Sequence, residues 1–359
     1  MGALLYREDM DAVRDRLTTW WEGGDIGRPA MHITVPRREP WEQVAALPEP
    51  QGWVTHYSTK SFEYRVDLSA RACLHTRYLA EAVPIVAPDL GPDCLALYLG
   101  CTGVEMPGTV WFRPCISRPE TARFQYDADN FYWSFTQRLA REQLRLGRGR
   151  FLVQFPDLIE GLDTLAAMRG SQALLVDLLE RPEWVQGCLA QITPLYFRYY
   201  DALYDMVKDE RGGSHFWAWA PGRMAKLQCD FSAMISPQVF ADFMMPVLRE
   251  MTARFDHCMY HWDGPDAIRH HDQLLSLPDL DMLQWTPGAG TETIMDRRWW
   301  PIYHKTLEAG KKLALLGFSG LDNLRAFRRE FGARLKGCLI SMGAETEAQA
   351  EEILHIVSD

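Results

Sequence analysis

Short apolar runs recur along the chain, and most of them are followed by a turn and then by an amphipathic helical pattern. Eight such runs occupy residues 30–35, 94–99, 151–155, 215–219, 258–262, 281–285, 313–318 and 337–342. Buried strands that alternate with helices are typical of a parallel sheet covered by those helices. Eight of them predict an α/β fold, specifically a (β/α)8 barrel of the TIM type.

The predicted barrel takes up the whole chain. No Gly/Ser linker, low-complexity tract or charge block interrupts the 359 residues, and the stretches that carry Pro and Gly are short enough to be loops. We therefore expect a single domain over residues 1–359, in which residues 1–29 form an N-terminal helical extension.

Charge and cysteine usage narrow the class of protein. The formal net charge is −10, so general binding to nucleic acid or to an anionic membrane is not expected. The eight cysteines form no CxxC pair, which indicates free thiols in a reducing compartment. The N-terminus lacks the apolar segment of a secretory signal, and no stretch approaches about eighteen uninterrupted apolar residues. These features predict a cytoplasmic protein.

In a barrel of this type, functional residues lie where strands end and their following loops begin. His261 and Asp263 stand two residues apart at the end of one predicted strand, so their side chains point to the same side. They are candidates for a metal-binding pair, or for a histidine that a carboxylate orients for acid–base catalysis. The alternative is a structural His–Asp hydrogen bond that fixes the turn at Gly264-Pro265.

Other polar and aromatic residues lie near predicted strand ends. Asp230 is either a helix cap or a carboxylate that holds a cationic or N–H group of a substrate. Asp157 is a candidate substrate contact. Trp219 and Trp285 are candidates for the wall of a pocket, with a role in the core as the alternative. Gln284 is a candidate hydrogen-bonding partner for a polar ligand atom.

Four segments resemble the uroporphyrinogen decarboxylase-like superfamily. They are PDLIEGLDTLAAMRG at 156–170, CDFS at 229–232, HWDG at 261–264 and the closing KGCLISMGAETEAQAEEIL. The superfamily contains uroporphyrinogen decarboxylase and the zinc methyltransferases that move methyl groups between corrinoid proteins and thiols. The resemblance is clearest from about residue 150 to the end, and it implies the same barrel and a small-molecule substrate.

The chain departs from both groups at their functional residues. The arginine-rich N-terminal segment of the decarboxylases is missing; Arg37 and Arg38 are the nearest analogues, and Arg113 is a further candidate anion contact. The methyltransferases bind zinc through His-x-Cys and a second Cys near the C-terminus. Here the first pattern is His261-Trp262-Asp263 and the second position falls near Ala344. Cys338 is a provisional third ligand beside His261 and Asp263, for zinc or another divalent metal.

The resemblance implies three possible functions. The first is methyl transfer, as a demethylase or methyltransferase that works with a corrinoid, a folate or a thiol as the methyl carrier, and with a corrinoid protein as a possible partner. The second is cofactor-free decarboxylation of a porphyrinogen or a smaller acid, with Asp230 as the counter-charge and Arg37 and Arg113 holding carboxylates. The third is a non-catalytic barrel that binds a corrinoid or tetrapyrrole. A homodimer is also possible, because Trp299-Trp300 on a predicted helix is a candidate interface.

Overall fold

The computed structural model describes residues 3–50 and 52–358, and strands alternate with helices through most of this part of the chain. The strands are β1 (Ala30–Pro36), β2 (Thr76–Ala80), β3 (Ile85–Val86), β4 (Thr102–Met106), β5 (Thr109–Arg113), β6 (Leu152–Val153), β7 (Ser214–Phe216), β8 (Ala218–Ala220), β9 (Met224–Gln228), β10 (His257–Asp263), β11 (Met282–Thr286), β12 (Lys312–Phe318) and β13 (Cys338–Gly343).

The helices cover the sheet and its ends. They are α1 (Met10–Trp21), α2 (Phe62–Arg71), α3 (Cys94–Tyr98), α4 (Phe131–Gly147), α5 (Gly161–Arg169), α6 (Ser171–Glu180), α7 (Pro182–Val207), α8 (Pro237–Val239), α9 (Met245–Arg254), α10 (His271–Leu275), α11 (Trp300–Glu308), α12 (Leu321–Phe331) and α13 (Glu347–Val357). None of these helices is both long enough and apolar enough to cross a membrane.

A seven-stranded sheet lies at the centre of the described chain, in the order β2-β1-β13-β12-β11-β10-β9. Only β2 is antiparallel to its neighbour; the other six strands are parallel. Parallel strands direct their carboxyl ends to the same edge. The loops that follow β9, β10 and β11 therefore meet at one rim of the sheet.

Three shorter pairings complete the strand inventory. β3 pairs with β6 in parallel, and β4–β5 and β7–β8 are antiparallel pairs. Within residues 3–50 and 52–358, no strand pairing joins β3 or β6 to the seven-stranded sheet, so the ladder does not close into a barrel. The structure thus shows an α/β fold with a mostly parallel central sheet, which is a coarser result than the predicted eight-stranded barrel.

The predicted strand at 94–99 is wrong. These residues form the short helix α3, whose side chains are all buried. Asp93 decides this locally, because its Oδ1 accepts a hydrogen bond from the Ala96 amide at 3.1 Å and caps the helix. An apolar run of this length does not by itself distinguish a buried strand from a buried helix.

Other strands differ from the prediction as well: β2, β3, β4 and β5 lie outside the predicted runs, and β6 covers only part of the run at 151–155. β9 was not predicted as a strand, although all five of its residues are buried. The predicted strand at 215–219 is split into β7 and β8 by Trp217, whose φ of +64° lies in the left-handed region. A bulky residue seldom adopts this conformation, and here it turns the chain back on itself between the two short strands.

The N-terminal extension contains α1, while Met1 and Gly2 lie outside the described residues. The indole N–H of Trp21 donates to the carbonyl of Trp219 at 2.8 Å, and that of Trp20 donates to the carbonyl of Lys336 at 2.8 Å. Because Lys336 lies two residues before the start of β13, α1 lies at the end of the sheet opposite to the rim formed by the strand carboxyl ends.

Candidate functional site

Three side chains converge at the carboxyl ends of β9 and β10. One nitrogen of His261 and one carboxylate oxygen each of Asp230 and Asp263 lie within 4.8 Å of one another. His261 and Asp263 are two residues apart on β10, and Asp230 begins the turn that follows β9. This arrangement is that of a site which can hold a metal ion, and we call these three residues the donor cluster.

The register of the strands places a glutamine on each side of His261. Gln228 on β9 and Gln284 on β11 are both paired directly with His261. Directly paired residues of neighbouring strands point to the same face of a sheet. The two glutamines therefore flank the imidazole, and both are buried.

Gln284 determines which nitrogen of His261 carries the proton. The amide nitrogen of Gln284 donates to the carbonyl oxygen of Trp285 and to the hydroxyl of Thr286, both at 2.9 Å. A carbonyl can only accept, so the orientation of the amide is fixed and Oε1 of Gln284 faces Nδ1 of His261. Nδ1 must then be the donor, and Nε2 of the neutral imidazole keeps its lone pair.

Gln228 is held in the same way and orients Asp230. Its Oε1 accepts a hydrogen bond from the ammonium of Lys226, which can only donate. Its Nε2 therefore points away from Lys226 and donates to Oδ2 of Asp230 at 3.1 Å. Lys226 is fully buried and also forms an ion pair with Asp157, with 2.5 Å between Nζ and Oδ1. The chain of contacts Asp157–Lys226–Gln228–Asp230 thus ends at the donor cluster.

Two carboxylates at the start of α5 hold the backbone around Asp230: Glu160, which precedes the helix, and Asp163 in its first turn. Asp163 accepts hydrogen bonds from the backbone amides of Asp230 and Phe231 at 2.7 and 2.8 Å. Glu160 accepts one from the amide of Gln228 at 2.8 Å. Burial, and then the nearby charge of Asp230, raise the pKa of Asp163 to about 7. Burial also raises the pKa of Glu160 well above its usual range.

Asp263 has an acceptor atom that the described protein leaves unused. Its Oδ1 is buried and receives no hydrogen bond from any residue in the described ranges. Burial raises the pKa of Asp263, His261 lowers it, and the charge of Asp230 raises it again. Gly288 lies alongside, where an added Cβ would be 3.6 Å from this oxygen. A buried acceptor without a partner is costly, and a bound cation is one way of satisfying it.

The donor cluster fits a divalent transition metal. One imidazole nitrogen and two carboxylates are ligands that suit zinc, iron(II) or manganese, and three protein ligands leave positions open for a substrate. The hydrogen bond from Nδ1 of His261 to Gln284 is the kind of outer contact that normally orients a metal-binding histidine.

An aromatic wall lies beside His261. The ring of Trp217 meets the imidazole edge-on, with 5.0 Å between ring centroids and an interplanar angle of 73°. The ammonium of Lys226 lies 4.7 Å from the same indole. Trp217 reaches this position because of its left-handed backbone conformation between β7 and β8.

The two tryptophans proposed from the sequence lie elsewhere. Trp219 donates its indole N–H to Asp209 at 2.9 Å, and its carbonyl accepts from Trp21 of α1. Trp285 is fully buried between Trp262 and Trp299, with ring centroids 4.8 and 5.1 Å away. Both tryptophans are therefore packed as core residues, and neither indole lies in the donor cluster.

The candidate cations and the candidate thiol are also outside the donor cluster. Arg37 stacks on Trp41 at 3.8 Å, and Arg113 is exposed at the end of β5. Cys338 is the first residue of β13 and pairs with Leu313, so it lies at the opposite end of its strand from the rim. Burial raises the pKa of its thiol above the usual range. The third residue that lies beside His261 and Asp263 is Asp230, whereas the sequence interpretation provisionally proposed Cys338.

Three residues around the site were missed or undervalued in the sequence. None of Lys226, Gln228 and Trp217 is among the site residues expected from the sequence, which indicates Trp219 as the pocket tryptophan. A signal was present for the first two. Lys226 and Gln228 alternate with Ala225 and Leu227, which is the period-two pattern of a strand with one polar face.

Comparisons with known proteins bear on the fold. No protein-family model matches the chain, and no curated protein matches its sequence. Among solved structures, a methyltransferase from Methanosarcina mazei is similar, with a TM-score of 0.58 and 12% sequence identity over 96% of this chain and 97% of that one. At this identity the likeness establishes a shared fold.

Proposed function

We propose that the chain is a metal-dependent methyltransferase whose metal ligands are Asp230, His261 and Asp263. Two observations carry the proposal together: His261 is grouped with two carboxylates, and the fixed amide of Gln284 engages Nδ1 and leaves the lone pair of the imidazole on Nε2. The methyltransferase-like fold and the resemblance of the second half of the chain support methyl transfer as the reaction.

The donor set favours one direction of transfer. A divalent ion held by these residues would supply Lewis acidity to a coordinated substrate atom. Imidazole and carboxylates donate less electron density than the two thiolates of thiol-activating sites. The cluster is therefore suited to stabilising a leaving oxygen or nitrogen, which takes up the electron pair when its bond to the methyl group breaks.

The protein's own residues would position this step. Gln284 and Gln228 hold His261 and Asp230 in place, and Asp163 fixes the turn that carries Asp230. Trp217 covers one side of the imidazole and limits access of water. The methyl acceptor would be a nucleophile that approaches opposite the leaving atom, and a corrinoid, a folate or a thiol has the required chemistry.

Metal content tests the proposal. Protein reconstituted separately with zinc, iron(II) and manganese should retain about one ion per chain of at least one of these metals. His261→Ala and Asp263→Ala should lose that ion. His355→Ala is the matched control, because His355 is exposed on α13, and it should retain the metal.

Turnover tests the reaction class. The metal-loaded protein should demethylate some O-methyl or N-methyl compounds in the presence of cob(I)alamin, tetrahydrofolate or a thiol, and His261→Ala should abolish this activity. Wild-type protein that retains no metal would overturn the metal site. Metal-loaded protein that releases CO₂ from carboxylic acids but transfers no methyl group would replace the proposal with the decarboxylase alternative.

A further inference from the structure

A cavity of about 530 Å³ lies beside α2, next to the carboxyl end of β3. This size is within the range of small-molecule sites. Its walls include the apolar side chains of Leu68, Ile85 and Val86, and its polar lining includes Tyr57 and Asp89. None of these residues belongs to the donor cluster.

Asp89 presents an unused acceptor at this cavity. Its Oδ1 accepts from the backbone amide of Asp157 at 3.3 Å and from the thiol of Cys94 at 3.5 Å. No residue in 3–50 or 52–358 donates to its Oδ2. Because Asp89 lines the cavity and Oδ1 is occupied on the protein side, Oδ2 is the atom available to a ligand.

The charged groups around Asp89 limit the kind of ligand that fits its free oxygen. Arg65 is buried and turns two N–H groups to backbone carbonyls, those of Ser58 at 2.9 Å and Asp89 at 2.5 Å. Lys226 is paired with Asp157. These two cations offset the carboxylates of Asp89 and Asp157. Arg71 also lines the cavity, but it is only half-buried and donates to the carbonyl of Ala45, so water screens its charge. At the free oxygen of Asp89, an anion is disfavoured by the carboxylate. A neutral group that donates a hydrogen bond suits the free oxygen of Asp89.

The cavity and the donor cluster are connected through side chains. Asp157 contacts Asp89 through its backbone and Lys226 through its carboxylate, and Lys226 reaches Asp230 through Gln228. Asp89 and Asp157 follow β3 and β6, which are parallel to each other. A molecule in the cavity would therefore lie a short chain of contacts away from the proposed metal.

We infer that this cavity binds the apolar body of a small neutral molecule that carries a hydroxyl or N–H group, with Asp89 accepting its hydrogen bond. Identification of that molecule with the remote part of the methyl-transfer substrate rests on the proposed function. Binding in the cavity does not, because no metal ligand takes part in it.

Ligand-observed NMR on metal-free protein tests the inference with four probes of one shape: p-cresol, toluene, 4-methylbenzoate and 4-methylbenzylamine. Burial raises the pKa of Asp89 to about 7, so the measurement is made at pH 8.5, where this carboxylate is ionised. We expect p-cresol to bind about tenfold more tightly than toluene, because a hydrogen bond to a charged acceptor is worth roughly that factor. The benzoate and the benzylamine should bind no better than toluene. Tighter binding of either charged probe, or no binding of p-cresol, overturns the inference.

Two variants and a control locate the binding. Asp89→Asn keeps an oxygen for Asp157 and Cys94 but turns an amide group toward the cavity. The affinity for p-cresol should therefore fall about tenfold, to the level of toluene, while the affinity for toluene is unchanged. Leu68→Trp should fill the cavity and prevent binding of both p-cresol and toluene. Glu63→Gln, an exposed position on the same helix, should change neither. Loss of toluene binding in Asp89→Asn, or p-cresol binding that survives Leu68→Trp, places the site elsewhere.

Because the protein in this experiment is metal-free, its result is separate from the test of the proposed function. Failure of p-cresol to bind removes the cavity site and leaves the metal site standing. Failure of the metal to bind leaves the cavity as a binding site in a protein whose reaction is not assigned.

Discussion

Nδ1 of His261 donates a hydrogen bond to Oε1 of Gln284, and the carbonyl of Trp285 prevents the glutamine amide from turning over. This contact sets the tautomer of the histidine before any metal binds.

Replacing Gln284 should change metal affinity without removing a ligand. Gln284→Leu removes the acceptor, so the imidazole can adopt the other tautomer, and we expect affinity to fall about 10–100-fold. Gln284→Glu provides an acceptor for Nδ1 of His261, so this variant should bind the metal at least as tightly as wild type. Competition with a chromophoric chelator measures both affinities. Equal affinities for Gln284→Leu and wild type would contradict the assigned role.

Lys226 should stabilise the protein mainly by neutralising Asp157. Lys226→Met leaves that carboxylate without its partner, and we expect unfolding free energy to fall by about 3 kcal/mol. Lys226→Met combined with Asp157→Asn should recover at least half of the loss, because the uncompensated charge is gone. Urea unfolding of metal-free protein provides the comparison. Losses that simply add in the double variant would show that the pair is not coupled.

His215 should make the protein acid-sensitive. It is buried and donates Nδ1–H to Gln154 at 2.8 Å. Burial, and then the neighbouring His32, lower its pKa to about 3. Below a pH of about 6.5 the unfolded chain binds a proton at this residue and the folded chain does not, so stability falls as the pH falls toward 3.

The His215 contribution can be isolated by substitution. Between pH 7.5 and pH 5, wild type should lose about 2 kcal/mol more unfolding free energy than His215→Asn, which keeps a donor for Gln154 but does not titrate. Urea titrations at the two pH values measure the difference. The same loss in both proteins would assign the acid sensitivity to other groups.

Cys101 and Cys115 should form a disulfide under mild oxidation. Their sulfur atoms are 3.7 Å apart, and Cys115 is exposed whereas Cys101 is buried. The hydrogen bond from Cys101 lowers the pKa of the Cys115 thiol, which favours the reactive thiolate. Diamide would accept the two hydrogens as the S–S bond forms. Two of the eight thiols should be lost, with a 101–115 cross-linked peptide in mass spectrometry.

Cys115→Ser should keep its seven remaining thiols under the same treatment, and Cys73→Ser, which removes a buried cysteine, should still form the cross-link. A cross-link that involves any other cysteine would contradict the assignment.

Alternation along a strand was the most reliable signal in the sequence. The prediction that His261 and Asp263 share a face depends only on their spacing in one strand, and the structure brings them together. The convergence of Asp230 was not predictable to the same degree. It depends on Asp163 and Gln228, which are distant from β10 in sequence and come close only after β9 has paired with β10.

β9 carries most of the supporting residues, but the sequence does not predict it as a strand. Its polar residues alternate because one of its faces belongs to the site, so it contains no continuous apolar run. The apolar run at 94–99 does predict a strand, but the cap at Asp93 produces a helix there. The residues of that run do not by themselves indicate a helix, and nothing in the sequence predicts the left-handed φ of Trp217.

The interruption of strand pairing beyond β9 divides the rim into two parts. The metal donors lie on or directly after strands of the continuous sheet, whereas Asp89 and Asp157 follow β3 and β6, which belong to a separate pair. The link between the cavity and the donors runs through the side chain of Lys226. A shift of β3 and β6 would therefore leave the spacing of His261 and Asp263 unchanged, because those two residues share a strand of the continuous sheet.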